Sequence, residues 1–286
     1  MSNLAILPTL EVSKSETPMS ATITRQNISL WSNLRQVCEL LLIEVPARAD
    51  QDTHRFQHLR IKAGQSLYRT GQDFDTLFLI NSGFVKTVHI DEHGTEHVLS
   101  FPMKGDVLGT DGIHTLHYAS DAIALCDCDI ILLPYKTLAK LTHTYLELET
   151  ALYSLMSREI VREQALISML SALSAEAKVA RFLVKLGERF MQLGYSSRQF
   201  NLRMTRQEIG SYLGLTLETV SRTLSALHEQ GLIRVEQREI QLCDIPALKK
   251  LRRFAPNKAK QKVADTVSTL VNNTLRAHWN SELASA

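Results

Sequence analysis

The chain has 286 residues, of which 44% are hydrophobic and 22% charged, and its net charge is +2. This length predicts two folded domains. No stretch approaches the roughly 18 to 20 apolar residues that cross a bilayer, and the N-terminus lacks a basic segment followed by an apolar core, so we expect a cytoplasmic protein without membrane contact. Four scattered cysteines exclude a disulfide framework and predict reduced thiols.

The charge is distributed unevenly along the chain. Residues 174–253 contain 14 Lys and Arg against 8 Asp and Glu, whereas residues 1–173 contain 14 against 20. The C-terminal block therefore has a net charge of +6 and the N-terminal block one of −6. A basic block joined to an acidic one favours a polyanionic partner that is bound by one half of the chain.

Residues 1–50 are interpreted as an N-terminal arm followed by a short helix. The first 30 residues are rich in Ser, Thr and Pro and have no periodicity, so we assign no function to them. From Leu30 to Val45 the apolar residues recur at helical spacing, which predicts a short amphipathic helix before the first domain.

Residues 51–145 are predicted to form a β-domain. Glycines recur every 11 or 12 residues between short apolar runs, which is typical of a compact antiparallel roll or sandwich. Asp91–Gly94 is predicted to be one hairpin tip. The predicted strand segments are Leu77–Ile80, Phe84–Ile90, Val98–Phe101 and Ile130–Leu133.

Residues 146–173 are predicted to form a dimerisation helix, after Pro134 ends the β-region and a short helix covers Tyr135–Thr142. Apolar residues spaced alternately three and four apart form an a/d seam on one face. A second stripe can face the chain's own β-domain. A long core helix in a monomer is the alternative. The seam contains Tyr153, Met156, Ile160, Glu163, Ile167 and Leu170, and the second stripe contains Leu148, Leu152 and Leu155.

Glu163 is unusual in such a seam. A carboxylate at this position weakens association unless it is paired or protonated. We therefore hypothesise that Glu163 tunes the strength of the dimer.

Residues 174–253 contain a helix from Ser174 to about Gly194 and then a sequence typical of a helix-turn-helix. Thr205 followed by Glu208 forms a capping box that starts one helix, Gly214 ends it, and Thr216 caps the next helix two residues later. Two helices so closely joined must cross steeply. The segments Gly231–Val235 and Ile240–Leu242, with a polar turn at Glu236–Glu239, predict a two-stranded wing.

The second helix has two faces. Val220, Leu224 and Leu227 form a buried stripe, whereas Glu218, Ser221, Arg222 and Ser225 share an outward face. Arginine can donate two hydrogen bonds to guanine, and glutamate can accept one from cytosine. We therefore assign base readout to Glu218, Ser221 and Arg222. A solvated face with a Glu–Arg pair is the alternative. Phosphate contact or support is assigned to Thr205, Arg206, Gln207, Thr216, Thr219 and Ser225.

From about Phe56 to Arg253 the chain resembles the CRP/FNR superfamily of bacterial transcription regulators, above all the fumarate and nitrate reduction subgroup. The run Leu217–Arg222 is similar to the E-x-x-S-R signature of that subgroup, and Gly105–Gly109 is similar to a family turn. The resemblance implies an α+β fold: an antiparallel β-roll of the cyclic-nucleotide-binding type (a double-stranded jelly roll), a dimerisation helix and a C-terminal winged helix-turn-helix. It also implies a homodimer that reads double-stranded DNA with TTGA-type half-sites, contacts RNA polymerase and activates transcription.

The family's two familiar effectors do not match these residues. Cyclic-AMP binders have a glutamate after the Gly109 position and an arginine about ten residues later, where this chain has Thr110 and Ser120-Asp121. Iron–sulfur members need three clustered N-terminal cysteines and a fourth in the roll, where this chain has only Cys38 and, at the fourth position, Ile131. We therefore predict no cofactor. The sequence does not identify a small-molecule or redox effector. A roll that binds no effector and serves as a scaffold is the alternative.

Several other features leave alternatives open. Cys126 and Cys128 fit redox or metal ligands or small apolar side chains. His89, His93 and His97 have helical metal-site spacing but straddle a predicted hairpin. His114 and His117 are interpreted as loop residues that could approach a haem or metal. Residues 254–286 contain apolar residues from Val263 to Trp279 at helical spacing, which predicts one amphipathic helix that packs on the wing domain or on a partner.

Two rival functions make different predictions. An effector-binding signalling module whose helix-turn-helix contacts protein would show no salt-dependent binding to duplex DNA. An enzyme is not indicated, because the sequence lacks a phosphate-binding Gly-x-x-x-x-Gly-Lys, a Gly-x-Ser-x-Gly elbow and a His-Glu-x-x-His motif. We predict no catalytic residues and no metal site.

Overall fold

The computed structural model describes residues 30–251 and has the predicted α+β architecture. The predicted arm over the first 29 residues and the predicted helix within 254–286 lie outside the described residues. The helices are α1 (Leu34–Leu41), α2 (Tyr135–Thr144), α3 (Leu146–Ala172), α4 (Ala175–Gln192), α5 (Arg206–Leu213), α6 (Leu217–Glu229) and α7 (Ile245–Lys250). The strands are β1 (Trp31–Ser32), β2 (Phe56–Ile61), β3 (Ser66–Tyr68), β4 (Thr76–Ser82), β5 (Val85–Ile90), β6 (Glu96–Ser100), β7 (Val107–Leu108), β8 (Asp121–Ala124), β9 (Cys128–Pro134), β10 (Gln199–Asn201), β11 (Ile233–Glu236) and β12 (Glu239–Leu242).

The β-roll consists of two antiparallel sheets. One has the strand order β1-β2-β9-β4-β7 and the other the order β3-β8-β5-β6. The long apolar strands β4 and β9 pair at the centre of the first sheet, with Leu79 opposite Ile131. Both residues are buried. All four segments predicted as strands are strands, and Asp91–Gly94 is the tip of the β5–β6 hairpin, with Gly94 at a φ of 77°.

Five strands of the roll were not predicted: β1, β2, β3, β7 and β8. They range from two to six residues. Strand β3 pairs with β8, more than 50 residues later in the chain. Such short segments carry little periodicity of their own, and their pairing depends on distant partners.

The N-terminal helix is shorter than the predicted Leu30–Val45. Its side-chain cap is Asn33, which accepts from the Gln36 N–H at 2.9 Å, and it ends where Leu42 adopts a left-handed conformation with a φ of 55°. Leu30 is exposed and precedes the short strand β1. The prediction of helix over the outer residues was therefore wrong, because capping by Asn33 fixes the start of the helix.

Helix α3 has 27 residues, which corresponds to about 40 Å. Its N-terminal part packs on the roll through Leu148 and Leu155, as predicted for the second stripe. No helix within residues 30–251 is long and apolar enough to cross a membrane.

The C-terminal domain contains α4 to α7 and a three-stranded sheet of order β10-β12-β11. The prediction of a two-stranded wing was incomplete, because the unpredicted β10 pairs with β12 through Phe200 and Ile240. The wing turn is also tighter than predicted. Glu236 and Glu239 face each other as the last strand pair, so that only Gln237 and Arg238 form the turn.

The roll and the C-terminal domain share one apolar core. Val98 and Phe101 of the β5–β6 hairpin region belong to the same buried cluster as Phe182 and Leu213. The ring of Phe101 lies 5.2 Å from that of Tyr212. The helix-turn-helix is therefore packed directly against the roll.

Gly210 allows the two helices of the helix-turn-helix to approach each other. A Cβ atom at this position would lie 2.7 Å from the carbonyl oxygen of Leu215 in the turn. That distance is shorter than any ordinary contact, and a backbone carbonyl cannot rotate away as a side chain can.

We expect Gly210→Ala to lower the free energy of unfolding in urea by roughly 1–3 kcal/mol, although alanine normally favours an exposed helix by about 1 kcal/mol over glycine. Gln207→Ala, at an exposed position of the same helix, is the control and should change the value by no more than about 0.5 kcal/mol. A stabilised Gly210→Ala protein would contradict the close packing of the turn.

Candidate nucleic-acid interface

Local hydrogen bonds define where α5 and α6 begin and end. The Thr205 hydroxyl accepts from the Glu208 N–H at 3.1 Å, and the Glu208 carboxylate accepts from the Thr205 N–H at 2.7 Å. Gly214 ends α5 in the left-handed conformation with a φ of 61°. The Thr216 hydroxyl then accepts from the Thr219 N–H at 3.2 Å and caps α6. Each predicted start and stop signal of the helix-turn-helix is present.

Helix α6 separates its side chains as the sequence predicts. Val220, Leu224 and Leu227 are buried under α4 and the wing. Glu218, Arg222 and Ser225 are exposed, and Ser221 beside them is half-buried. The four polar residues therefore form one accessible face.

The charged groups on this face are available to a ligand. The backbone N–H of Glu218 at the helix start, followed by the Thr216 hydroxyl, holds the pKa of the Glu218 carboxyl below its usual range. The carboxyl is therefore ionised at neutral pH. Within residues 30–251, Arg222 has no carboxylate within 4.0 Å. The Glu–Arg pair of the alternative interpretation is not formed, and the guanidinium of Arg222 is free to donate.

The residues assigned to phosphate contact or support divide into two groups. Thr205 and Gln207 are exposed in the first turn of α5, and Arg206 between them is half-buried. The hydroxyls of Thr216 and Thr219 lie 3.0 Å apart and are occupied by capping α6. The first group can reach a ligand directly, whereas the second supports the geometry of the helix.

The wing contributes a basic residue that the sequence analysis missed. Arg238 is exposed at the two-residue wing turn, next to Gln237, which has a φ of 54°. Its guanidinium donates to the carbonyl oxygen of Arg203 at 3.4 Å. A polar pair between two alternating strands was the signal that could have identified this tip.

The predicted seam of α3 is largely uncovered in a single chain. Tyr153, Ile160 and Ile167 are 63%, 55% and 65% exposed, and Glu163 between them is also exposed. Met156 and Leu170 are half-buried. Within residues 30–251, a stripe of large apolar side chains about 20 Å long is therefore left without a partner.

Comparison with known proteins agrees with this geometry. A cyclic nucleotide-binding domain matches residues 58–145, and a Crp-like helix-turn-helix domain matches residues 177–251. The transcriptional regulatory protein btr of Bordetella pertussis is 37% identical over 195 residues, which cover 68% of this chain and 81% of that protein. The chain belongs to the CRP/FNR family of transcription regulators.

Other members of the CRP/FNR family support the assignment. The fumarate and nitrate reduction regulatory protein of Escherichia coli K12 is 38% identical over 199 residues, which cover 70% of this chain and 80% of that protein. The structure of FixK2 from Bradyrhizobium japonicum matches with a TM-score of 0.63 at 26% identity, and covers 70% of this chain and 98% of FixK2. Like its relatives, this CRP/FNR member is a DNA-binding transcription regulator and not an enzyme, as predicted.

The histidines and cysteines of the roll are not part of the exposed face of α6. His89 and His97 face each other across β5 and β6, and the ring of His97 lies 3.0 Å from the Asp91 carboxylate. No group of three or more metal-ligating side chains converges within residues 30–251. Burial raises the pKa of Cys38 to about 11, and burial together with Cys126 raises that of Cys128 to about 11.

We expect the thiols to differ in reactivity towards iodoacetamide. At pH 8 a thiol with a pKa near 11 is ionised in roughly one molecule in a thousand, and only the thiolate reacts. Cys38 and Cys128 should therefore be alkylated at least about tenfold more slowly than the exposed Cys243. Peptide mass spectrometry measures each rate, and Cys243→Ser identifies the fast phase. Equal rates for Cys38 and Cys243 would show that α1 opens readily.

Proposed function

We propose that the protein is a homodimeric activator that reads a palindrome with TTGA-type half-sites. The observation that carries the proposal is the exposed polar face of α6. Glu218, Ser221 and Arg222 project from a helix that begins with a capped N-terminus, and the guanidinium of Arg222 is not engaged by a carboxylate of residues 30–251. In the major groove, an ionised glutamate can accept a hydrogen bond from cytosine, and an arginine can donate two hydrogen bonds to guanine.

Homodimer formation is supported by the exposed seam of α3. Large apolar side chains on a 27-residue helix are costly to leave in water, and a second copy of the same helix covers them by a/d packing. A two-fold axis along the seam places two copies of α6 in symmetric positions. Symmetric recognition helices bind half-sites about 34 Å apart, so the site is a palindrome.

We further propose that the roll binds neither cyclic AMP nor an iron–sulfur cluster. The Asp121 carboxylate accepts from the Thr70 N–H and hydroxyl at 2.8 Å each, and the Ser120 hydroxyl donates to Asp111 at 2.7 Å. Two carboxylates in place of a cation repel a cyclic phosphate. These residues therefore do not fit a cyclic nucleotide.

The cysteines do not fit a cluster either. A cluster needs four converging thiolates. Cys38 lies in α1, Cys126 and Cys128 lie at the start of β9, and Cys243 belongs to the C-terminal domain. Ile131, at the position of the family's fourth ligand, is buried in β9. The effector, if any, is of another class.

RNA polymerase is the proposed partner for activation. The hairpin tip from Asp91 to Glu96 projects from the roll, and Glu92–Glu96 are exposed. The tip is on the roll rather than on α6. Its exposed Glu92 suits a basic partner surface.

The base-reading role is tested with Arg222→Ala. Loss of a bidentate contact to guanine should weaken binding to the TTGA palindrome by roughly 1–3 kcal/mol and leave binding to a scrambled duplex almost unchanged. Fluorescence anisotropy at fixed salt measures both affinities. Ser225→Ala, at the far end of the same face, is the control and should have a smaller effect.

Two outcomes contradict this proposal. An equal loss on both duplexes would assign Arg222 to phosphate contact. A wild-type protein that shows no salt-dependent binding to any duplex would favour the alternative, in which the helix-turn-helix contacts protein.

The role of Glu163 is tested with Glu163→Ala. A two-fold axis along the seam brings the two Glu163 carboxylates towards each other, and their repulsion opposes association. We expect the variant to dimerise about three- to tenfold more tightly in sedimentation equilibrium at neutral pH. Ser168→Ala, at an exposed position beside the seam, is the control. An unchanged dissociation constant would rule out the hypothesis.

A further inference from the structure

Lys86 is a buried cation near the start of strand β5 of the roll. It lies on β5 between Val85 and Val88, and only 9% of the residue is exposed. Its ammonium lies 2.8 Å from the Glu96 carboxylate on β6 and 3.1 Å from the Glu208 carboxylate on α5. One cation of the roll therefore connects its own sheet to the helix-turn-helix.

Glu208 uses its two carboxylate oxygens for two different domains. Oε2 accepts from the N–H of Thr205 at 2.7 Å and from its hydroxyl at 3.0 Å, and so closes the capping box of α5. Oε1 faces Lys86. Burial alone would raise the pKa of Glu208, but the bond from Thr205 and the pair with Lys86 outweigh it and hold the pKa below its usual range. The carboxylate is therefore charged at neutral pH, and both contacts act together.

The contacts around this ion pair seat α5 on the edge of the roll. The Ser211 hydroxyl accepts from the Val98 N–H at 2.9 Å and donates to the Glu96 carbonyl oxygen at 3.2 Å. The next residue, Tyr212, packs against Phe101. These contacts hold the C-terminal half of α5. The Lys86–Glu208 pair is the contact to the roll at its N-terminal turn.

We propose that Lys86 is a positioning residue for DNA binding, which holds the first turn of α5 in the orientation that contacts phosphate. The proposal rests on the function proposed above, in which Thr205, Arg206 and Gln207 of that turn meet the duplex backbone. Lys86 makes no DNA contact itself, because its ammonium is enclosed between two carboxylates. Through this pair, the affinity for DNA depends on the geometry of the β5–β6 hairpin.

A purely structural role for Lys86 would give a different result. If the lysine served only to satisfy Glu96 within the sheet, its loss would lower the stability of the roll and leave DNA contacts unchanged. Two variants separate these roles. Glu208→Gln keeps the capping box, which accepts glutamine as well as glutamate, but removes the ion pair with Lys86. Glu96→Gln removes the pair within the sheet and keeps the one between domains.

The experiment measures binding of the full chain to the TTGA palindrome and to a scrambled duplex by fluorescence anisotropy over a range of salt concentrations. We expect Lys86→Met and Glu208→Gln each to weaken binding about 5- to 20-fold on both duplexes, and to reduce the salt dependence by about one phosphate contact per subunit. The double variant should bind no more weakly than either single variant, because both remove the same contact. Lys86→Arg should restore most of the affinity, and Glu96→Gln should bind nearly as the wild type does.

The readouts keep the inference separate from folding and from the function it rests on. Thermal unfolding and sedimentation identify any variant that is unfolded or monomeric. If Lys86→Met is such a variant, Glu208→Gln, which retains its capping box, tests the positioning role instead. Wild-type affinity and salt dependence in Lys86→Met, or losses that add in the double variant, would overturn the positioning role. Failure of the proposed function appears instead in the wild type, as equal affinity for the palindrome and the scrambled duplex.

Discussion

The contact between the β5–β6 hairpin and the helix-turn-helix is the constraint on which the arrangement of the domains depends. Phe101 contacts both Phe182 of α4 and Tyr212 of α5, with ring centroids 6.0 and 5.2 Å apart. Close-packed interiors transmit displacement because they contain few voids. The β5–β6 hairpin region and helices α4 and α5 therefore form one packed unit.

A second polar contact connects the roll to helix α3. Asp106, which is 8% exposed, accepts from the Met103 N–H at 2.9 Å and pairs with Arg162 of α3 at 3.1 Å and with Arg189 of α4. A single carboxylate of the roll thus contacts the helix that carries the seam and the helix that starts the C-terminal domain. Because a buried charge that loses one partner is destabilised, a shift of α3 and a shift of α4 are coupled at this residue.

The sequence predicted most accurately those features whose signals are local. The capping box at Thr205, the stop at Gly214 and the cap at Thr216 define their helix ends through bonds within a few residues, and each is present. Strand β10 and strand β3 were missed because three residues have too little periodicity to predict a strand, and their partners lie about 40 to 55 residues away. The outer turns of α1 were overpredicted because apolar spacing does not indicate where a cap stands.

The sequence indicates that charged residues at the domain contact need oppositely charged partners, but it does not identify those partners. Lys86 stands two residues before the buried Val88 on β5, and a buried charge requires compensation. The sequence, however, does not identify Glu208, more than 100 residues later, as the group that supplies it. The buried Asp106 carboxylate likewise requires compensation, and Arg189 of the C-terminal domain supplies it. Apolar contacts between the domains are non-directional, whereas charge-assisted hydrogen bonds depend on the orientation of both partners. The ion pairs of Lys86 with Glu208 and of Asp106 with Arg189 therefore connect the roll to the C-terminal domain at two separate points.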